Sequence, residues 1–171
     1  MIQIYDDIFV GGENDYEFGV KTEEDWAVVH ACKEPYHRNA LGYSGRSVSS
    51  DHPEYLVARR GHRLILNMVD VENPKFFDKG MIEEALDFVD EQLENGNKVL
   101  IHCNQGESRG PSLGLLYLSS RLEAIPNNSF SDAEEAFRKL YPPYAPKSGI
   151  RGHIKQNWVQ YCQISESGWD K

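Results

Sequence analysis

The segment that most constrains this chain is Lys98-Val99-Leu100-Ile101, followed at once by His102-Cys103-Asn104-Gln105-Gly106-Glu107-Ser108-Arg109-Gly110-Pro111-Ser112. A strand that is apolar at successive positions, instead of at every second one, buries both its faces. That is the habit of parallel sheets covered by helices. Proline is tolerated in the first turn of a helix, where the missing N–H has no intrahelical partner. Pro111 therefore marks a helix starting just after Arg109, and Leu113, Leu116 and Tyr117 carry its apolar face toward Leu122. A buried strand feeding a short loop and then a helix calls for an α/β domain with a central, largely parallel sheet flanked by helices.

The rest of the chain agrees with that frame. Gln3-Ile4-Tyr5 and Ile8-Phe9-Val10 flank Asp6-Asp7 as a tight hairpin, and Ala27 to Ala31 and Leu64 to Met68 are apolar runs of strand length. Ile82, Leu86, Val89 and Leu93 recur at helical spacing over Met81 to Glu94, and Asn95-Gly96 stops that helix. Ser131 with Glu134 reads as a capping box ahead of Ala133, Phe137 and Leu140, and Pro142-Pro143 ends the helix. A last helix carries Ile150, Ile154, Trp158 and Tyr161. Periodicity fails around residues 32–62, which read as an irregular excursion with a helical turn or two between Pro53 and Arg59; Val69 to Asp78 reads as loop. With 171 residues and no repeat or long Pro/Gly/Ser linker, residues 1–171 are expected to form one domain.

The strand-to-helix junction is also where an open α/β sheet binds ligands, because unpaired N–H groups and the positive helix end converge there. Five residues separate Cys103 from Arg109. They are enough for the backbone to curl into a nest of N–H groups around a tetrahedral oxyanion, and Gly106 permits the curl. Arg109 can hold two oxygens in its planar fork, which lysine cannot do. The same dipoles, with Arg109 and His102 adjacent, favour the thiolate of Cys103 and make it the candidate nucleophile.

His102-Cys103 through Arg109 resembles the signature loop of the protein tyrosine phosphatase superfamily, and Glu107-Ser108-Arg109 with Pro111-Ser112 resembles its dual-specificity branch. Ile4 to Gly11 and Ala145 to Ile150 resemble other parts of that branch. The resemblance implies a phosphatase acting through a phosphocysteine intermediate: Cys103 attacks, Arg109 and the loop residues Asn104, Gln105, Gly106, Glu107 and Ser108 bind phosphate, and His102 and Ser112 support them. It also implies an aspartic acid, on a loop after a strand, that protonates the leaving oxygen. Asp70, 33 residues before Cys103, is the expected acid; Glu72 and Asp78 share its loop, and spacing alone does not separate them from it. No metal or other cofactor is implied, since the nest and Arg109 supply the electrostatics. Family members usually carry serine or threonine directly after the arginine, where this chain has Gly110.

A net charge of −9 repels nucleic acid and anionic membranes, so any anion must be captured locally. The basic residues Arg38, Arg46, Arg59, Arg60 and Arg63 read as a solvated surface. Neutral Asn104 and acidic Glu107 at the loop mouth disfavour inositides and polyphosphates. The expected partners are phosphorylated proteins or peptides, with phosphate, sulfate or vanadate as active-site oxyanions. An RNA 5′-triphosphatase and a phosphate-binding pseudophosphatase module are the alternatives, the second kept open by Gly110. Cys32, Cys103 and Cys162 suit neither a disulfide framework nor a zinc site, and His30, His37, His52, His62 and His153 show no metal-ligand spacing. With neither an apolar span of about 20 residues nor a signal-peptide pattern at the start, a cytoplasmic protein is expected.

Overall fold

The computed structural model describes residues 1–167. Six strands form one mixed sheet: β1 (Ile2–Tyr5), β2 (Ile8–Gly11), β3 (Trp26–His30), β4 (Val57–Arg60), β5 (Arg63–Leu66) and β6 (Lys98–His102), in the spatial order β1-β2-β6-β3-β5-β4. The inner pairs β2–β6, β6–β3 and β3–β5 are parallel, and the edge pairs β1–β2 and β4–β5 are antiparallel. Val99, Leu100 and Ile101 on β6 are buried between strands β2 and β3 at the centre of the sheet, in keeping with their unbroken apolar run. The C-terminal ends of β6 and β3 meet at register partners His102 and His30.

Two short helices, α1 (Glu13–Asp15) and α2 (Arg38–Leu41), each adjoin a five-residue π-type turn, Tyr16–Val20 and Lys33–His37. The longer helices are α3 (Lys79–Glu94), α4 (Arg109–Ser120), α5 (Phe130–Leu140), α6 (Ser148–Gln156) and α7 (Trp158–Ser167). Helix α4 is buried along its whole length, including Ser112, Ser119 and Ser120, whose hydroxyls donate to carbonyls four residues back. Gly114 lets it lie against β2, because a Cβ there would come within 2.9 Å of Val10.

Several boundaries differ from the sequence reading. The stretch from Pro53 to Arg59, expected to hold helical turns, ends in strand β4; its Arg59 and Arg60 face solvent and pair with Glu91 and Glu54, so no apolar alternation betrays it. The cap of α5 is Ser129, whose hydroxyl accepts from the Asp132 amide, because the apolar face starts at the buried Phe130. Glu134 is not a capping residue: it is buried and takes Arg151 and Arg138 as partners. The last helix is broken at Asn157, whose side-chain amide donates to the His153 carbonyl, so Ile150 and Ile154 belong to α6 and Trp158 and Tyr161 to α7. A 3₁₀ turn, Pro74–Phe76, interrupts the loop after β5.

Candidate active site

From β6 the chain enters the loop Cys103 to Ser108, and five of the loop's six carbonyl oxygens, together with that of His102 just before them, accept hydrogen bonds. The Ala31 amide donates to His102 O, the Glu13 amide to Asn104 O, the Tyr141 hydroxyl to Gly106 O at 2.6 Å, and the Ala145 amide to Glu107 O. The imidazole of His102 takes the carbonyl of Cys103, and Ser112 N and Oγ take that of Ser108. Among the described residues, no amide from Asn104 to Ser108 donates to a protein acceptor. A loop with its oxygens turned outward and its N–H groups unspent is a concave, electropositive cradle.

Gly106 makes that turn possible. Its φ is +74°, and a Cβ would meet the Gly11 carbonyl carbon at 2.7 Å and the Gly12 nitrogen at 2.8 Å. Two glycines at the end of β2 therefore seat a third in the loop. The Gly11-Gly12-Glu13 corner contributes further, since the Glu13 carboxylate accepts from the Asn104 side-chain amide at 3.0 Å. The glycine pair was visible in the sequence, though its use was not. Tyr141 carries no local signal at all.

Arg109 is 9% exposed. One Nη donates to the Met68 carbonyl at 2.8 Å and the other to Asn104 Oδ1 at 2.7 Å, while its Nε is buried with no hydrogen-bond acceptor in the protein. Asp70 lies across from it with Oδ2 at 3.9 Å from that Nε, and its Oδ1 accepts from the Ser108 hydroxyl at 3.1 Å. Ser108 in turn accepts from the Lys147 amide at 2.9 Å. The cavity between them, about 240 Å³, is lined by Cys103, Asn104, Gln105, Glu107, Ser108, Arg109 and Asp70, with Ala145 and Lys147 from the segment before α6. Thus sequence neighbours and one distant carboxylate share a single cleft.

The other expected residues fall around it. Gly106 lies behind the loop, and His102 is buried beneath it with its imidazole pKa lowered to about 4 by burial. Ser112 commits its hydroxyl to Ser108 O. Glu72 is exposed, and the Asp78 carboxylate caps α3 by accepting from the Met81 amide at 2.8 Å. Neither lines the cavity. Gly110 is packed against the loop: a Cβ there would lie 3.0 Å from the Cys103 nitrogen. Among the described residues, no cluster of histidine, cysteine or carboxylate has metal-holding geometry, and no helix is long and apolar enough to cross a membrane.

No family model matches the chain. In sequence it is 50% identical to human dual specificity protein phosphatase 5 over 74 residues, which make up 43% of this chain and 18% of that protein. The chain therefore spans less than a fifth of the length of that relative. In fold it superposes on the crystal structure of DUSP15 with a TM-score of 0.66 at 16% identity, covering 100% of this chain and 96% of the other. The human tyrosine phosphatase-like serine/threonine/tyrosine-interacting protein superposes with a TM-score of 0.64, also at 16% identity, over 93% and 95% of the two chains. Likeness at that identity speaks for the fold, and the local sequence match speaks for the branch. Taken together, the chain has the fold of dual-specificity and tyrosine phosphatase structures and is locally similar in sequence to the dual-specificity branch of the protein tyrosine phosphatase superfamily.

Proposed function

We propose that this chain is a cysteine-dependent phosphatase that hydrolyses phosphotyrosine and, as further substrates, phosphoserine and phosphothreonine in proteins. The observation that carries this reading is the pairing of unspent amides from Asn104 to Ser108 with a buried Arg109 Nε that has no protein acceptor, all around Cys103. Leaving such donors unpaired is costly, and the oxygens of a phosphoryl group are the acceptors that this set fits.

In the first step the Cys103 thiolate attacks phosphorus, the S–P bond forms, and the P–O ester bond breaks as Asp70 gives its proton to the leaving oxygen. In the second, the Asp70 carboxylate takes a proton from water, the water oxygen attacks phosphorus, and the S–P bond breaks to return the thiolate and inorganic phosphate. Arg109 and the amides hold the equatorial oxygens through both steps. Asp70 is assigned as the acid because it lines the cleft while Glu72 and Asp78 do not. The lining charges are two cations, Arg109 and Lys147, against Asp70 and Glu107. That balance suits one phosphate better than a polyphosphate.

Gly110 supports a second reading, a module that binds phosphorylated proteins without turning them over. It offers no hydroxyl to the departing thiolate, and the Ser112 hydroxyl is already spent on Ser108 O. One experiment separates the two: phosphate release from an aryl phosphate, a phosphotyrosine peptide and a triphosphate-ended RNA. The wild type is expected to turn over the first two, Cys162→Ser to retain that activity, and Cys103→Ser to lose it by at least about 10³-fold while still binding the peptide. Turnover by Cys103→Ser would sink the covalent mechanism. Peptide binding by the wild type with no phosphate release would establish the binding module.

A further inference from the structure

Beneath the cleft the sheet buries polar groups that the two chemical steps leave unused. His30 ends β3 and His102 ends β6, and both are fully buried. His30 Nδ1 is 2.6 Å from His102 Nε2. The other nitrogen of His102, Nδ1, is 3.1 Å from the Cys103 carbonyl oxygen, and the other nitrogen of His30, Nε2, is 2.9 Å from Nε of Arg63 at the start of β5. A continuous line of hydrogen bonds thus runs from Arg63 through two imidazoles to the first peptide of the loop.

The two ends of this line fix every proton in it. A guanidinium can only donate, so His30 Nε2 accepts and its proton sits on Nδ1. A carbonyl can only accept, so His102 Nδ1 carries the proton and Nε2 holds a lone pair. Between the rings there is then one donor, His30 Nδ1–H, and one acceptor, His102 Nε2. A cationic ring at either position would set donor against donor, so both imidazoles are neutral. Burial acts in the same direction on both pKa values.

Neither ring can swing away to relieve a mismatch. Tyr36 stacks on His30 at 4.3 Å, Tyr16 meets it edge-on at 4.5 Å and stacks on His102 at 5.5 Å, and the Arg63 guanidinium lies over Tyr16 at 5.5 Å. Without Arg63, His30 is free to carry its proton on Nε2. His102 then becomes the donor between the rings, and its Nδ1 lone pair faces the lone pairs of the Cys103 carbonyl. That repulsion turns the peptide on which the loop and the Cys103 thiol are hung.

We propose that Arg63 and His30 are positioning residues: they lock His102 in the tautomer that donates to the Cys103 carbonyl, and so hold the loop in the form that favours the Cys103 thiolate. The proposal rests on Cys103 being the nucleophile, but its test need not involve turnover. The charged and titratable groups facing the imidazoles are Arg63, Tyr16 and Tyr36, with Glu13, Asp15 and Glu17 acting on His102 from a distance; those acting on or beside the thiol are Arg109, Cys32 and Tyr141.

The test uses four variants, each read in two ways. Arg63→Met keeps the stem and removes the donors, and Arg63→Lys restores one donor. His30→Leu removes both functions, and His30→Gln restores an acceptor and a donor on one side chain. Imidazole ¹⁵N spectra of the wild type should show both His30 and His102 protonated at Nδ1, with His102 shifting toward the Nε2–H form in Arg63→Met. The pH midpoint of Cys103 alkylation by iodoacetamide, followed by mass spectrometry, should rise by about one unit or more in Arg63→Met and His30→Leu and be largely restored by Lys and Gln. A wild-type His102 protonated at Nε2 overturns the proposal even if every variant unfolds. So does an unchanged midpoint in folded Arg63→Met. Because neither readout needs phosphate release, a protein that only binds phosphate leaves this test intact.

Discussion

The loop Cys103 to Arg109 and the loop Val69 to Asp78 face each other across one cleft, yet they are held in different ways. In the first, five carbonyls, and that of His102 just before them, are taken by Ala31 after β3, the His102 imidazole, Glu13 of α1, Ser112 of α4, and Tyr141 and Ala145 ahead of α6. In the second, the Asp70 carboxylate accepts one hydrogen bond, from the Ser108 hydroxyl at 3.1 Å, beside the Arg109 guanidinium at 3.9 Å; the Ser148 hydroxyl holds Glu72 O, and Val69 and Phe76 stand 50% and 75% exposed. A cradle must keep its shape to stabilise charge that appears only in the transition state, so rigidity serves it. A proton donor must give up a proton, regain one and admit a leaving group, so one exchangeable bond serves it better.

That contrast is most open to attack at Gly106. Gly106→Ala forces a side chain into left-handed backbone and against Gly11 and Gly12, two strains each of order 1–3 kcal/mol. Together they should weaken vanadate binding and turnover alike by about a thousandfold, read by competitive inhibition and initial rates. Binding kept within tenfold would show that the cradle is softer than argued. Asp70→Asn should instead leave vanadate binding nearly unchanged and cut turnover of a poor leaving group by about 100-fold, with little effect on an activated aryl phosphate. If Asp78→Asn shows that leaving-group dependence and Asp70→Asn does not, the acid is misassigned. The smallest effect is expected from Tyr141→Phe, which leaves the buried Gly106 carbonyl unpaired at a cost of about 1–3 kcal/mol in a denaturant melt. Turnover there should fall by less than about tenfold, because five other fastenings remain.

The strand, loop and helix around Cys103 were legible because each residue type there has one physical use: continuous apolarity for a buried strand, glycine for a turn, proline for a helix start. Strand β4 was not, because it lies at a sheet edge where Arg59 and Arg60 pair outward and erase the period-two signal. The cap of α5 slipped by two residues because Ser129 and Ser131 are chemically equal candidates, and only the burial of Phe130 chooses between them. Three carboxylates on one loop looked alike until tertiary structure gave Asp78 to a helix end and turned Asp70 toward the cleft. Arg63 was grouped with solvated surface cations, and its partner His30 lies 33 positions away in sequence. No pattern in one dimension links a residue on β5 to the foot of a loop two strands over.

The charged edge of the sheet has a consequence for the molecule among its own copies. β4 is an outermost strand, and such a strand offers open backbone donors and acceptors to any extended chain that drifts alongside. Arg59 and Arg60 close that invitation: their guanidinium groups fold back onto Glu91 and Glu54, placing hydrated ion pairs where a second strand would need to approach. The same pairs that add little to folding free energy, being nearly half exposed, thus act as a fence against edge-to-edge aggregation.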